Sequence, residues 1–306
     1  MTVGEMKASA HRLLSIRRWA RVDAAAGRTT EAREGWAPGH FYSPVVSTHD
    51  IERHRERVYS TAGDRELPGL ALDLDAQLET FQRIAAAAPG QPWGERPQRR
   101  LRYGFDNPNF GPGESLLLWG MFCDLGPRRV IEIGAGWSTR AILDIRDRLL
   151  DGNLEVTAIE PYASAVIPDL MSDPGVQVIE VPAQETGVER FLALGPGDVL
   201  FVDSSHVVKF GSDVQFILND VLPRLAPGVR VHFHDVMYPF EYPLEWIRQG
   251  RNWNEAYALR SFLTFNAAYT IDLFAAYVWA LAPDRAASLL PRAAPSPGSS
   301  LWLRRL

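Results

Sequence analysis

Arg129-Val130-Ile131-Glu132-Ile133-Gly134-Ala135-Gly136-Trp137-Ser138-Thr139-Arg140 is the stretch on which the reading of the fold turns. Val130 to Ile133 is mostly apolar, a short run of the kind that forms a central parallel strand. Gly134 and Gly136 allow a tight turn and let the backbone approach a ligand closely. Ser138 or Thr139 is placed to cap a helix over 140–150, whose free N–H groups and positive dipole end would face the same ligand. Strand, glycine turn and capped helix point to a nucleotide-like cofactor at the carboxyl end of a sheet.

The details choose among cofactors. A dinucleotide fingerprint wants a third glycine or alanine where Thr139 stands, so that helix and strand pack closely. Glu132, two residues before the first glycine, would repel a pyrophosphate but suits a ligand carrying an ammonium and a sulfonium. The pattern Glu132-x-Gly134-x-Gly136-x-Ser138/Thr139 resembles the first motif of class I S-adenosylmethionine (SAM) methyltransferases. That resemblance implies an α/β fold: a Rossmann-like, mostly parallel sheet whose last strand is antiparallel.

Composition narrows the class. Of 306 residues, 46% are hydrophobic and 23% charged, as in an ordinary globular protein. A net charge of −5 gives no electrostatic footprint for nucleic acid. The basic residues are arginines apart from Lys7 and Lys209, a habit of composition rather than a set of phosphate clamps. The single cysteine, Cys123, excludes an internal disulfide and a thiolate cluster, and its apolar setting predicts a buried, inert thiol. No apolar run reaches the roughly 18 residues of a membrane span, and Arg17-Arg18 has no signal core behind it. A cytoplasmic protein that acts on a small molecule, with a homo-oligomer left open, is the expectation.

Along the chain, apolar spacing predicts a helix over 1–27, a short charged helix over 50–59 and an amphipathic helix over 74–88. Residues 1–102 are read as a helical cap and linker, and residues 103–306 as the methyltransferase domain. The aromatic loop Gly39 to Val46 is expected over the substrate side. Its Gly39-His-Phe-Tyr-Ser-Pro44 run resembles the lead-in of a bacterial subgroup with small-molecule substrates. From residue 126 strand and helix alternate, with strands at 154–159, 176–181, 198–202 and 229–233. A helix over 253–265 and strands at 269–274 and 300–305 close the chain.

Polar groups gather at the predicted strand ends. Glu160 lies roughly 20 residues past the glycine turn, the interval at which an acid grips ribose hydroxyls. Pro161 and Tyr162 follow it as a shelf for adenine, and the resemblance puts Gln184 at the adenine edge. Asp203-Ser204-Ser-His206 ends the fourth strand, and His232-Phe-His234-Asp235 ends the fifth. These ends of parallel strands face one crevice, so the groups are expected to converge beside the cofactor. His206, with an ordinary pKa near 6.5, is the candidate base, and His234 a second. Similarity to the metal-dependent, catechol-type branch implies Asp203, His234 and Asp235 as ligands of a divalent ion. Histidine among them favours Mn, Fe or Zn over Mg. A metal-free His/Asp base pair is the other mechanism. The aromatic run Tyr238 to Pro243, with Trp246 and Trp253, is expected to bound the acceptor.

The sequence thus reads as a SAM-dependent methyltransferase of small-molecule biosynthesis, acting on a hydroxyl. An NAD(P)-dependent oxidoreductase and a non-catalytic SAM-binding protein are the rival readings.

Overall fold

The computed structural model describes residues 35–98 and 100–306; the helix predicted over 1–27 lies outside them. The chain divides into two compact units, Met1–Val46 and Ser47–Leu306. In the first, residues 35–46 form a turn closed by Gly39 N–H donating to Val45 O at 2.8 Å, with Trp36 stacked on His40.

The second unit opens with α1 (Thr48–Val58), capped by Ser47, whose Oγ accepts from Asp50 N–H. Helix α2 (Leu74–Ala87) is capped by Asp73 and buries Leu74, Leu78, Phe81 and Ile84 at helical spacing. This apolar stripe joins the main core, and Gln77 Oε1 accepts from Phe274 N–H at 2.7 Å. Helices α1 and α2 thus lie in the same compact unit as the sheet.

Helix α3 (Pro112–Leu125) runs apolar on nearly every side and is buried along most of its length. Cys123 departs from expectation, because the last turn of α3 rotates it to the surface. Then follow β1 (Arg129–Ile133), α4 (Trp137–Arg148), β2 (Glu155–Ile159), β3 (Val176–Ile179) and β4 (Val199–Val202). Helix α5 (Asp213–Phe216), capped by Ser212, continues through a π turn over 217–221 to β5 (Arg230–Phe233). The rest comprises α6 (Leu244–Arg248), α7 (Glu255–Leu263), β6 (Tyr269–Phe274), α8 (Ala275–Leu281), α9 (Pro283–Leu289) and β7 (Leu301–Arg305).

The sheet order is β3-β2-β1-β4-β5-β7-β6. Strands β1 to β5 are parallel, whereas β7 runs antiparallel to both β5 and β6. A dinucleotide fold would continue parallel beyond β5, so the sheet departs from that pattern at its sixth position. The order reverses at β1, which pairs with β2 on one side and β4 on the other. Ligands of open α/β sheets bind at the carboxyl ends flanking such a reversal. No helix among the described residues is long and apolar enough to cross a membrane.

Candidate active site at the strand reversal

The glycine turn between β1 and α4 divides its labour differently from the sequence reading. Gly134 has φ +82°, and a Cβ there would lie 1.8 Å from the Asp203 carbonyl oxygen. Gly134 is therefore bare to let β4 pass, not to admit a ligand. At Gly136 a Cβ would meet nothing within 4 Å, so that residue borders open space. Helix α4 begins at Trp137, earlier than expected, with Ser138 and Thr139 inside its first turn rather than capping it. Thr139 Oγ1 accepts from Gly136 N–H at 2.9 Å and locks the turn. Ser138 Oγ donates to Glu132 Oε1 at 2.6 Å.

Glu132 is fully buried, and its Oε2 has no partner. Burial pushes its pKa up to about 8, against the pull of Ser138 and Thr139. An unpartnered carboxylate oxygen beside an open glycine cradle and a helix N-terminus suits a ligand bearing an ammonium group. At the end of β2, Glu160 Oε1 accepts from Tyr162 N–H at 2.9 Å and Oε2 from Ala135 N–H at 3.3 Å. That carboxylate is thus tied to the glycine turn itself, and burial raises its pKa. Tyr162 and Pro161 are half-buried next to it. Gln184 stands in a turn of 3-10 helix, where its Nε2 donates to Gly211 O at 2.9 Å. Ser204 Oγ, just past β4, is buried without a partner.

Beyond β4 the backbone is forced into the left-handed region at His206, φ +58°. Two hydrogen bonds hold it there, from Asn254 and Glu255 N–H to His206 O. The buried imidazole lies between two carboxylates, with Nδ1 2.8 Å from Glu255 Oε2 and Nε2 3.4 Å from Asp203 Oδ1. Burial alone would lower its pKa; the two acids reverse that and hold it well above 6.5. Asp203 is 31% exposed at its side chain. Burial works against its charge, but His234, His206 and His232 pull its pKa down to about 2. Trp253 lies 4.2 Å from the His206 ring, ring to ring, and Arg251 bridges Trp253 and Trp246 at 4.9 and 4.4 Å. Tyr242 belongs to the same aromatic wall, whereas Tyr238 and Phe240 pack back onto Phe274 in the core.

At the end of β5, His234 Nε2 lies 3.6 Å from Asp235 Oδ1, and Nδ1 lies 3.8 Å from Glu114 Oε2. Burial disfavours its charge, yet Asp203, Asp235 and Glu114 raise its pKa to about 9. The trio expected to hold a metal does not close: Asp203, His234 and Asp235 do not bring three ligand atoms within 4.8 Å of one another. The reason is that Asp203 turns to His206, and Asp235, at φ +57°, turns to Ser299 and His234. Two acids escaped the sequence reading. Glu114 and Glu255 are charges planted on buried helix faces, and a carboxylate inside the run Glu114-Ser-Leu-Leu-Leu-Trp119 was the available signal.

Residues 131–236 match the family described as a methyltransferase domain. An uncharacterised protein of Archaeoglobus fulgidus is 26% identical over 160 residues, covering 51% of this chain and 72% of that protein. Among solved structures, the SAH-bound Podospora anserina methyltransferase PaMTH1 is 17% identical, with TM-score 0.40, covering 86% of this chain and 98% of its own. A putative methyltransferase from Thermobifida fusca is 13% identical, with TM-score 0.39, covering 73% and 93%. The matched segment thus runs from β1 to β5 of a sheet in the order 3-2-1-4-5-7-6, and over it the chain is similar to a methyltransferase domain.

Proposed function

We propose that the enzyme methylates a hydroxyl oxygen of a small, planar molecule. The observation that carries this reading is the Asp203–His206–Glu255 array, its imidazole and Glu255 buried and Asp203 partly open, set against an aromatic wall beyond the strand next to the glycine turn. When bound, SAM supplies an electrophilic methyl group on a sulfonium. Glu132 and the N–H groups around Gly136 hold the amino-acid end, and Glu160 takes the ribose hydroxyls. Pro161, Tyr162 and Gln184 border the adenine, and Ser204 Oγ offers a further polar contact. Trp246 and Trp253 stack the acceptor, and His206 with Asp203 orients its hydroxyl and takes the proton. Because His206 rests as an imidazolium, it accepts a proton only once it has lost its own. His234 faces Glu114 and Asp235 rather than the wall, so proton removal rests on His206 alone.

Ligand-induced stabilisation tests the cofactor half. S-adenosylhomocysteine (SAH) at 100 times its dissociation constant should stabilise the fold by about 2.7 kcal/mol, and NADH should not. Glu160→Ala should weaken SAH binding in calorimetry while leaving the melting temperature of the free protein within a few degrees. Stabilisation by NADH alone would overturn the reading. For the acceptor half, SAM with a labelled methyl group should mark phenols in a panel of phenols, alcohols and amines. Labelling confined to amines would refute the oxygen assignment.

A further inference from the structure

The methyl-transfer reading leaves one cluster unused. Glu114 from the first turn of α3 and His232 and His234 from β5 and its end each offer a ligand atom, all within 4.8 Å of one another. The two histidines, at i and i+2, fall on one face of the strand. All three side chains are more than nine-tenths buried, and each points an unpartnered atom inward: Glu114 Oε2, His232 Nδ1 and His234 Nδ1. Three convergent polar atoms with no partner are costly in dry protein unless something joins them.

The surroundings hold each atom ready. Glu114 Oε1 is engaged by the Ser299 backbone N–H and by Ser299 Oγ, which leaves Oε2 to face the histidines. His234 turns Nε2 toward the Asp235 carboxylate, 3.6 Å away, and so presents Nδ1 to Glu114 Oε2, where an ion would displace the ring proton. A carboxylate behind a histidine in this way is the usual support of a metal-bound imidazole. His232 is stacked 3.9 Å from Phe201 and flanked by Trp302 at 4.9 Å, so its ring cannot swing away. The 3.8 Å between His234 Nδ1 and Glu114 Oε2 is too long for a hydrogen bond. An ion bonded at about 2.0–2.2 Å to each would span it.

The geometry points to a buried site for one divalent transition ion of the zinc type, ligated by Glu114 Oε2, His232 Nδ1 and His234 Nδ1. Two imidazoles and one carboxylate select Zn(II), Fe(II) or Co(II) over Mg(II) and Ca(II). The site takes the opposite nitrogen of His234 from the one facing Asp235, and it would pin α3 and the loop before β7 onto β5.

The test uses the untagged full chain, stripped with chelator and checked by circular dichroism. Zn(II) should bind at one per chain and raise the melting temperature with or without SAH present, and Mg(II) should not. Co(II) should give a visible ligand-field spectrum. Glu114→Gln and His232→Phe, which keep the shape of each side chain, should lose both signals, and Asp235→Asn should weaken Zn(II) about 10- to 100-fold. Should a variant fail to fold, the Co(II) spectrum and stoichiometry of the unaltered chain still decide. No Zn(II) or Co(II) binding to that chain would overturn the proposal. So would undiminished binding in folded Glu114→Gln and His232→Phe, or a preference for Mg(II).

Discussion

Gly134→Ala is expected to cost about 4 kcal/mol or more, among the largest effects a single methyl group can have. The new Cβ would sit 1.8 Å from the Asp203 carbonyl oxygen, which Asp203 N–H donating to Ile133 O holds in place. The backbone at φ +82° adds the left-handed penalty, about 1–2 kcal/mol. In a domain of this size the melting temperature should fall by on the order of 10 °C. Gly136→Ala should behave oppositely: nothing lies within 4 Å of its added Cβ, so the fold should hold. The methyl group would instead occupy the cradle beside Glu132, and SAH affinity should drop. Scanning calorimetry and SAH titration of both variants separate the two roles. Equal losses of stability in the two would refute the division.

That division was beyond the sequence. The pattern Glu132-x-Gly134-x-Gly136 makes the turn legible, because few arrangements put an acid inside a buried strand before paired glycines. It does not say which glycine faces β4, since that depends on a neighbour some 70 residues away in the chain. The same limit explains the rest. The strands themselves follow from apolar runs and alternation, and their ends lay within one or two residues of those expected. Asp203 and His206 were visible at a strand end, but Glu255 was not, since α7 brings it back from 49 residues on. Glu114 reaches His234 across an interval of more than a hundred residues, so the expected trio named Asp235 beside His234 but could not name Glu114. Composition placed Cys123 among apolar neighbours, yet its rotation on α3 decided its exposure.

The Asp203–His206–Glu255 array carries the second large expectation. Its imidazole is held charged by Glu255 at 2.8 Å and Asp203 at 3.4 Å, so its folded pKa lies well above the unfolded 6.5. A group of this kind contributes stability that is fully present below pH 6.5 and is lost as pH rises through the folded value. Methyl transfer runs the other way. As the proposed base, the imidazole would take a proton only after losing one, so turnover should climb with pH, with a midpoint above 6.5. Glu255→Gln keeps a hydrogen-bonding partner for Nδ1 but removes one of the two charges. The His206 titration, followed by NMR of its ring, should move toward 6.5, and the pH–rate midpoint should move down with it. His206→Gln should lower turnover about 10²- to 10⁴-fold while leaving SAH affinity within a few-fold. A structural role would move stability alone. An unchanged pH midpoint in Glu255→Gln, or near-normal turnover in His206→Gln, would remove His206 from the reaction and leave the fold, the cofactor cradle and Glu160 untouched.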